Sequence, residues 1–180
     1  GYRQSIFKKE KGKKFIVISV SFIFKKNEKV NIEYKDIQKY FEYKKIQKPS
    51  LIEMREAILL IRQSKLPDLK YYGTAGSFFK NPVIKKEKAN KLLKKYSSLP
   101  VSEISSGYVK ISAAYLLDNI CGYKGIRVGN VGVYKNHSLV LVNYNKGKAK
   151  EIKKLAEKMQ KCVKEKTGII LEPEVVFIGF

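Results

Sequence analysis

The chain has 180 residues, 44% of them hydrophobic, and 38 lysines and arginines against 16 acidic residues give it a formal charge of +22. This length and apolar content predict a globular chain with a core and exclude intrinsic disorder. The sequence has no run of eighteen apolar residues and no signal-peptide pattern, so neither membrane insertion nor export is predicted.

The positive charge is spread along the whole chain and does not form one basic arm. Only four arginines, Arg3, Arg55, Arg62 and Arg127, accompany lysines that occur in every polar stretch. Nucleic-acid sites usually cluster their cations on one face, so this distribution favours a solvated lysine surface that attracts anionic ligands. A non-catalytic basic module that binds nucleic acid or another polyanion remains the alternative.

Residue patterns predict the elements of the first third of the chain. Ser50 and Glu53 form a capping box that starts a helix. The apolar face expected for that helix carries Ile52, Ala57, Leu60 and Ile61. The predicted elements are strands over 14–24 and 30–34, a helix over 36–43 and the capped helix, which runs to about 64.

The remainder of the chain mixes helices and strands without a strict βαβ alternation. An α+β fold with a mixed sheet is therefore expected. The longest helix presents an apolar stripe of Ile152, Leu155, Ala156, Met159 and Val163 and ends at Gly168. The predicted elements are helices over 86–96, 112–120 and 149–166, and strands over 138–143 and 174–178.

Cys121 and Cys162 are far apart in the sequence, which suggests neither a metal site nor a disulfide framework. We therefore expect two thiols and no metal, with a reducing cytoplasm as the default location.

Residues 73–82 read Gly-Thr-Ala-Gly-Ser-Phe-Phe-Lys-Asn-Pro, a glycine-flexed loop that presents polar groups. Ser77 is either a turn serine or a reactive hydroxyl. The presence of two adjacent phenylalanines, Phe78 and Phe79, in such a loop requires a separate explanation. Ser77 and Lys80 form an S-x-x-K pattern that, with the later K-T-G at 166–168, is also found in serine β-lactamases. We reject that interpretation because Pro82 follows the serine closely and K-T-G closes a helix. No dinucleotide or P-loop glycine motif occurs.

Two further polar residues lie beside apolar runs. Glu174 precedes the run 175–178, where a carboxylate either is an edge residue facing water or must be paired or have a raised pKa. His137, the single histidine, is either structural or a ligand contact.

Six separated motifs in order resemble the C-terminal portion of the UDP-N-acetylenolpyruvoylglucosamine reductase family. They cover nearly the whole chain and consist of 2–8, Tyr34, 62–68, 73–82, 137–143 and 171–179. Small departures are Gln4, Thr74 and His137, where members of the family often carry Asp, Asn and Gln.

The resemblance implies an oxidoreductase of peptidoglycan precursor synthesis, and hence of cell-wall biogenesis, cell shape and cell division. Such an enzyme uses FAD and NADPH to reduce UDP-N-acetylglucosamine enolpyruvate to UDP-N-acetylmuramate. The expected partner is a UDP-sugar, with no specific nucleic acid and no membrane insertion.

The resemblance also assigns roles to residues. Arg3 would bind the substrate carboxylate, Ser77 would donate a proton, and Glu174 would stabilise the enol-like intermediate. The substrate-binding residues implied are Tyr34, Arg62, Lys65, Asn81 and His137.

Three regions are expected from the same resemblance. Residues 1–66 would be the C-terminal part of a flavin-contacting domain with a tyrosine-bearing loop, 67–168 the substrate-binding domain, and 169–180 a return strand that carries Glu174. The main FAD-binding domain of the family has no counterpart in the sequence, which also starts at Gly1, so we expect a fragment or a truncated form.

Overall fold

The computed structural model describes residues 5–8, 12, 14–25 and 30–179. Its elements in chain order are a 3₁₀ turn at Ile6–Lys8, α1 (Lys35–Lys44), α2 (Leu51–Lys65), β1 (Val83–Lys85), α3 (Lys86–Lys95), β2 (Val101–Ser105), β3 (Tyr108–Ile111), α4 (Ala113–Tyr115, continued by a π-helix at Leu116–Ile120), β4 (Arg127–Val128), β5 (Val131–Val133), β6 (Leu141–Asn143) and α5 (Ala149–Thr167).

The predicted capping box at the start of α2 is confirmed. The Glu53 amide donates to Ser50 Oγ over 3.2 Å, and the Ser50 amide donates to Glu53 Oε2 over 2.8 Å. α2 ends where Leu66, in extended conformation, precedes Pro67. The helix predicted over 36–43 is likewise confirmed as α1.

The apolar face predicted for α2 is partly wrong. Ile52 and Leu60 are 71% and 52% exposed, whereas Ala57 is fully buried and Met54 is nearly so. The cause is the partner helix, because Met54 and Ala57 pack against Phe41 of α1. This small core therefore uses a narrower stripe of α2 than the sequence period indicates.

The mixed sheet predicted from the sequence is wrong, although helices and strands coexist as expected for an α+β fold. Both sheets are antiparallel and three-stranded, with orders β1-β3-β2 and β4-β5-β6. Tight turns explain the antiparallel pairing. Gly107 lies between β2 and β3 with φ of 78°, and Gly129 lies between β4 and β5 with φ of 61°.

The main core lies between the sheets and α5. The stripe predicted for α5 is confirmed, since Leu155, Ala156, Met159 and Val163 are at most 3% exposed. The helix closes at Gly168, whose φ of 66° is in the left-handed region that suits a C-cap. The helix predicted over 112–120 is confirmed as α4 and its π-helical continuation, started by a hydrogen bond from the Tyr115 amide to Ser112 Oγ.

Four predicted strands are wrong in part or in full. Residues 14–24 and 30–34 form no strand, and Ile16 and Ile23 are 89% and 99% exposed. Residues 174–178 carry no strand either; the segment follows an isolated bridge between Phe79 and Pro173, and the Phe177 ring meets that of Phe78 with centroids 6.1 Å apart. A β-propensity run becomes a strand only beside a partner, and the described residues offer these runs no continuous ladder. The strand predicted over 138–143 is shortened to β6 because Val140 closes a turn on His137.

The expectation of two separate thiols is also wrong. Cys121 and Cys162 form a disulfide with Cα atoms 6.3 Å apart. This disulfide could not be predicted from the sequence, because 41 residues separate the two cysteines and only the packing of α5 on the π-helix brings them together.

No helix in the described ranges is long and apolar enough to cross a membrane. In the same ranges no group of His, Cys, Asp and Glu side chains could hold a metal ion.

Candidate functional site

A pocket of about 360 Å³ lies between α1, the C-terminal half of α2 and the turn after β5. Its polar lining consists of Tyr34, Arg62, Lys65 and His137. Its apolar lining consists of Ile37, Ile58, Ile61 and Leu66. Four side chains predicted to bind substrate thus come from three separate parts of the chain to one concave surface.

The last turn of α2 supplies the two cations of this pocket. Arg62 and Lys65 are three residues apart, so they lie on one face of the helix. The Lys65 ammonium also donates to the Asp36 carboxylate in the first turn of α1. Lys65 is therefore held at the boundary between the two helices while it lines the pocket.

His137 enters the pocket from a turn that is tied to α2. The Asn136 side-chain amide donates to the Ser64 carbonyl over 2.7 Å, and the Leu139 amide donates to His137 Nδ1 over 3.2 Å. Burial, and then the positive charges of Lys65 and Lys124, lower the pKa of His137. A neutral imidazole with Nδ1 accepting carries its proton on Nε2, so His137 offers a hydrogen-bond donor.

The loop over 73–82 is fixed by backbone hydrogen bonds along one side. Gly73 and Asn143 exchange two such bonds of 3.0 and 2.7 Å, and the Phe78 amide donates to the Leu139 carbonyl over 2.8 Å. Ser77 forms a β-bridge with Val140 and keeps its side chain exposed. The predicted reactive hydroxyl therefore stands on a backbone held in place next to the His137 turn.

The two adjacent phenylalanines anchor this loop in the core. Phe78 and Phe79 are 3% and 1% exposed, and their rings meet edge to face with centroids 5.1 Å apart. On the other side of the loop the Glu174 amide donates to the Phe78 carbonyl over 2.8 Å. Ser77 and Glu174 consequently belong to neighbouring backbone segments around Phe78, and Glu174 is half-buried.

Asn81 has a structural contact that the sequence did not reveal. Its Oδ1 atom accepts a hydrogen bond from the Ala113 amide over 2.9 Å, at the start of α4. Asn81 lines a different cavity, of about 530 Å³, together with Lys80 and Lys88. The structure therefore does not place Asn81 in the pocket of Tyr34, and Arg3 lies outside the described residues.

Sequence reasoning missed the contacts of Asp36 and Asn136. Asp36 occupies the first turn of a predicted helix, where an acidic residue has an ordinary explanation in the helix dipole. Asn136 adjoins the single histidine in a polar turn. Each partner lies in a distant part of the sequence, and no local pattern indicates a long-range partner.

Cationic, aromatic and neutral imidazole donors over an apolar floor define a binding site suited to an anionic ligand that also has an apolar or ring-shaped part. Similarity to known proteins identifies the family. Residues 67–178 match the model of the UDP-N-acetylenolpyruvoylglucosamine reductase, C-terminal domain, and the chain belongs to this family.

Relatives named UDP-N-acetylenolpyruvoylglucosamine reductase match almost the whole chain. The protein of Chromobacterium violaceum is 40% identical over 99% of this chain and 52% of its own length. That of Flavobacterium johnsoniae is 43% identical over 97% of this chain and 52% of its own length, and that of Buchnera aphidicola is 41% identical over 99% and 50%. The chain thus spans about half the length of these curated relatives.

Proposed function

We propose that this chain is the substrate-binding and proton-donating part of a UDP-N-acetylenolpyruvoylglucosamine reductase, which makes UDP-N-acetylmuramate for peptidoglycan in the cytoplasm. The observation that carries the proposal is the convergence of Tyr34, Arg62, Lys65 and His137 on one pocket. A UDP-sugar carries a diphosphate that suits the two cations, and the face of its uracil ring can pack on the apolar floor.

The separate cores of the chain support a division near residue 66. Phe41, Met54 and Ala57 form a separate core in the N-terminal third, whereas the main core runs from Phe78 to Leu171. We infer that residues 1–66 belong to a flavin-contacting domain, 67–168 to the substrate domain and 169–180 to a segment returning to the first. That last segment begins inside the main core, because Ile169 and Leu171 are buried there.

FAD and NADPH would supply hydride to the reaction that the relatives' name describes. Among the described residues no glycine-rich turn leads into a helix, so they lack the type of dinucleotide cradle that sets such a turn against a helix N-terminus. α2 begins instead with its capping box, and the N-terminal turn of α5 is occupied by Glu151, which accepts from the Lys148 amide over 2.6 Å. We therefore derive no step through the cofactor.

The chemistry assigned to this chain is binding, orientation and delivery of a proton. In this proposal Ser77 would give a proton to the substrate carbon next to the carboxylate, and Glu174 would hydrogen-bond to the charge that develops there. Arg3 would pair with the carboxylate itself, whereas Asn81, which caps α4 and lines a separate cavity, is given no part in binding the diphosphate of this pocket.

Ligand binding tests the first part of the proposal. UDP-N-acetylglucosamine should bind the chain in isothermal titration calorimetry, and Arg62→Gln should weaken binding about tenfold, the scale of one charge-assisted hydrogen bond. Arg55→Gln is the matched control, since Arg55 lies on the same helix but not in the pocket lining. Tight, steeply salt-dependent binding of unrelated DNA without affinity for the nucleotide sugar would favour the basic-module alternative.

Transient kinetics test the second part. In a flavin-loaded enzyme that contains this chain, Ser77→Ala should leave flavin reduction by NADPH intact and slow reoxidation by substrate about a hundredfold or more. The exposed Ser97 provides the control substitution Ser97→Ala. Normal reoxidation of the Ser77 variant in stopped flow would remove the proton-donor assignment.

A further inference from the structure

We propose that Asp36 is a positioning residue of the pocket: it holds the Lys65 ammonium and the Tyr34-bearing end of α1 in the arrangement that receives a diphosphate. This inference rests on the proposed function, because it concerns the same ligand. It adds a residue whose side chain approaches the pocket from behind one of the cations.

The geometry separates Asp36 from the ligand-facing side chains. Asp36 accepts a hydrogen bond from the Lys65 ammonium, and the two side chains are 33% and 43% exposed. Lys65 lines the pocket, whereas Asp36 is not part of that lining. An ammonium has three donors, so one can be committed to Asp36 while the others face the ligand.

The same contact contributes to the direction of α1. At its C-terminal end α1 is held by Phe41, which packs against Met54 and Ala57 of α2. At its N-terminal end α1 is attached to α2 by the Asp36–Lys65 ion pair and by Ile37, which packs against the same small core.

Tyr34 depends on that direction. Its side chain is 63% exposed, so packing alone does not fix it, but its carbonyl accepts the first helical hydrogen bonds, from Ile37 and Gln38 over 2.9 and 3.0 Å. Movement of the first turn of α1 would therefore carry Tyr34 away from Arg62 and Lys65.

An electrostatic role and a positioning role of Asp36 predict opposite changes in ligand affinity when its charge is removed. A carboxylate beside an anion site repels the ligand, so loss of its charge alone would tighten binding. Loss of a positioning contact would instead weaken binding, since Lys65 and Tyr34 must then be ordered at the expense of ligand affinity. The sign of the change distinguishes the two effects.

The test is a double-mutant cycle on UDP affinity, measured with the whole 180-residue chain by NMR titration up to millimolar ligand, where weak binding is still followed. We expect Asp36→Asn to weaken UDP binding about fivefold in the presence of Lys65 and less than about twofold in a Lys65→Met background. Glu42→Gln is the matched control, because it removes one negative charge from the exposed far end of α1 and should leave affinity unchanged.

Every outcome either supports or overturns the positioning role of Asp36. Unchanged or tighter binding by Asp36→Asn, or an equal loss in both Lys65 backgrounds, would overturn the positioning role while leaving the proposed function intact. Absence of UDP binding by the unsubstituted chain would overturn the proposed function, and this inference with it. Urea unfolding of every variant confirms that affinities are compared between folded proteins.

Discussion

Substitution of Phe79 by alanine tests the idea that a core anchor holds the Ser77 loop. Phe79 is 1% exposed and lies between the Ser77 bridge to Val140 and its own bridge to Pro173. Truncation of a fully buried phenylalanine removes its transfer free energy and leaves a cavity, which together cost about 3–5 kcal/mol. That is a large share of the roughly 5–15 kcal/mol by which domains are stable.

The assay is urea unfolding followed by circular dichroism, with Phe15→Ala as the control. Phe15 is 64% exposed, so its truncation should change the free energy of unfolding by no more than about 0.5 kcal/mol. Phe79→Leu, which keeps most of the volume, should cost about 1 kcal/mol and keeps the comparison possible if the alanine variant does not fold. A cost below about 1 kcal/mol for Phe79→Ala, or equal costs at both sites, would refute the anchoring argument.

Three other substitutions or conditions test separate contacts. Reduction of the Cys121–Cys162 disulfide should lower the free energy of unfolding by up to about 4 kcal/mol, as expected for a loop closed over 41 residues, and unfolding with and without dithiothreitol measures it. Asn81→Ala should cost about 1 kcal/mol in urea because the Ala113 amide loses its acceptor, while Asn81→Asp keeps an acceptor and should cost less; equal costs would contradict the capping role. The lowered pKa of His137 means that the unfolded chain binds a proton more readily there, so stability relative to His137→Gln should fall as the pH drops below the ordinary value of 6.5 and be unaffected above it. Parallel pH profiles of the two proteins would contradict that assignment.

Helices were predictable because their signals are local. The box at Ser50 and Glu53 starts α2, and the stripe from Leu155 to Val163 together with Gly168 marks the buried face and the end of α5. Each signal lies within a few turns of chain, which is the range over which capping and amphipathic period act.

Strands and the covalent bridge were not predictable in the same way. The run at 14–24 has the composition of a strand but no ladder within the described residues, whereas β2 and β3 have weaker composition and pair across Gly107. The disulfide depends on how α5 packs, which is decided by contacts far apart in sequence. Strand pairing and disulfide formation each depend on two segments, and a pattern within one segment does not identify its partner.

The candidate site was predictable residue by residue only through family resemblance. Tyr34, Arg62, Lys65 and His137 have unremarkable local contexts, yet they line one pocket. Asp36, in contrast, had a sufficient local explanation at a helix N-terminus, which concealed its ion pair with Lys65. A residue whose local role is already satisfied gives no sequence signal for a second role.

The loop over 73–82 carries both buried core residues and the proposed proton donor. Ser77 is exposed while the next two residues are buried, so the hydroxyl points outward from a segment fixed by the core. A serine hydroxyl is a weak acid, and its value as a proton donor depends on being held at the reacting carbon, since correct placement alone can contribute several kcal/mol to lowering a barrier. The hydrogen bond from Glu174 to the Phe78 carbonyl places the proposed stabilising carboxylate on the neighbouring segment. Because both groups depend on the same phenylalanine anchor, a change that loosens the anchor should disturb proton donation and intermediate stabilisation together.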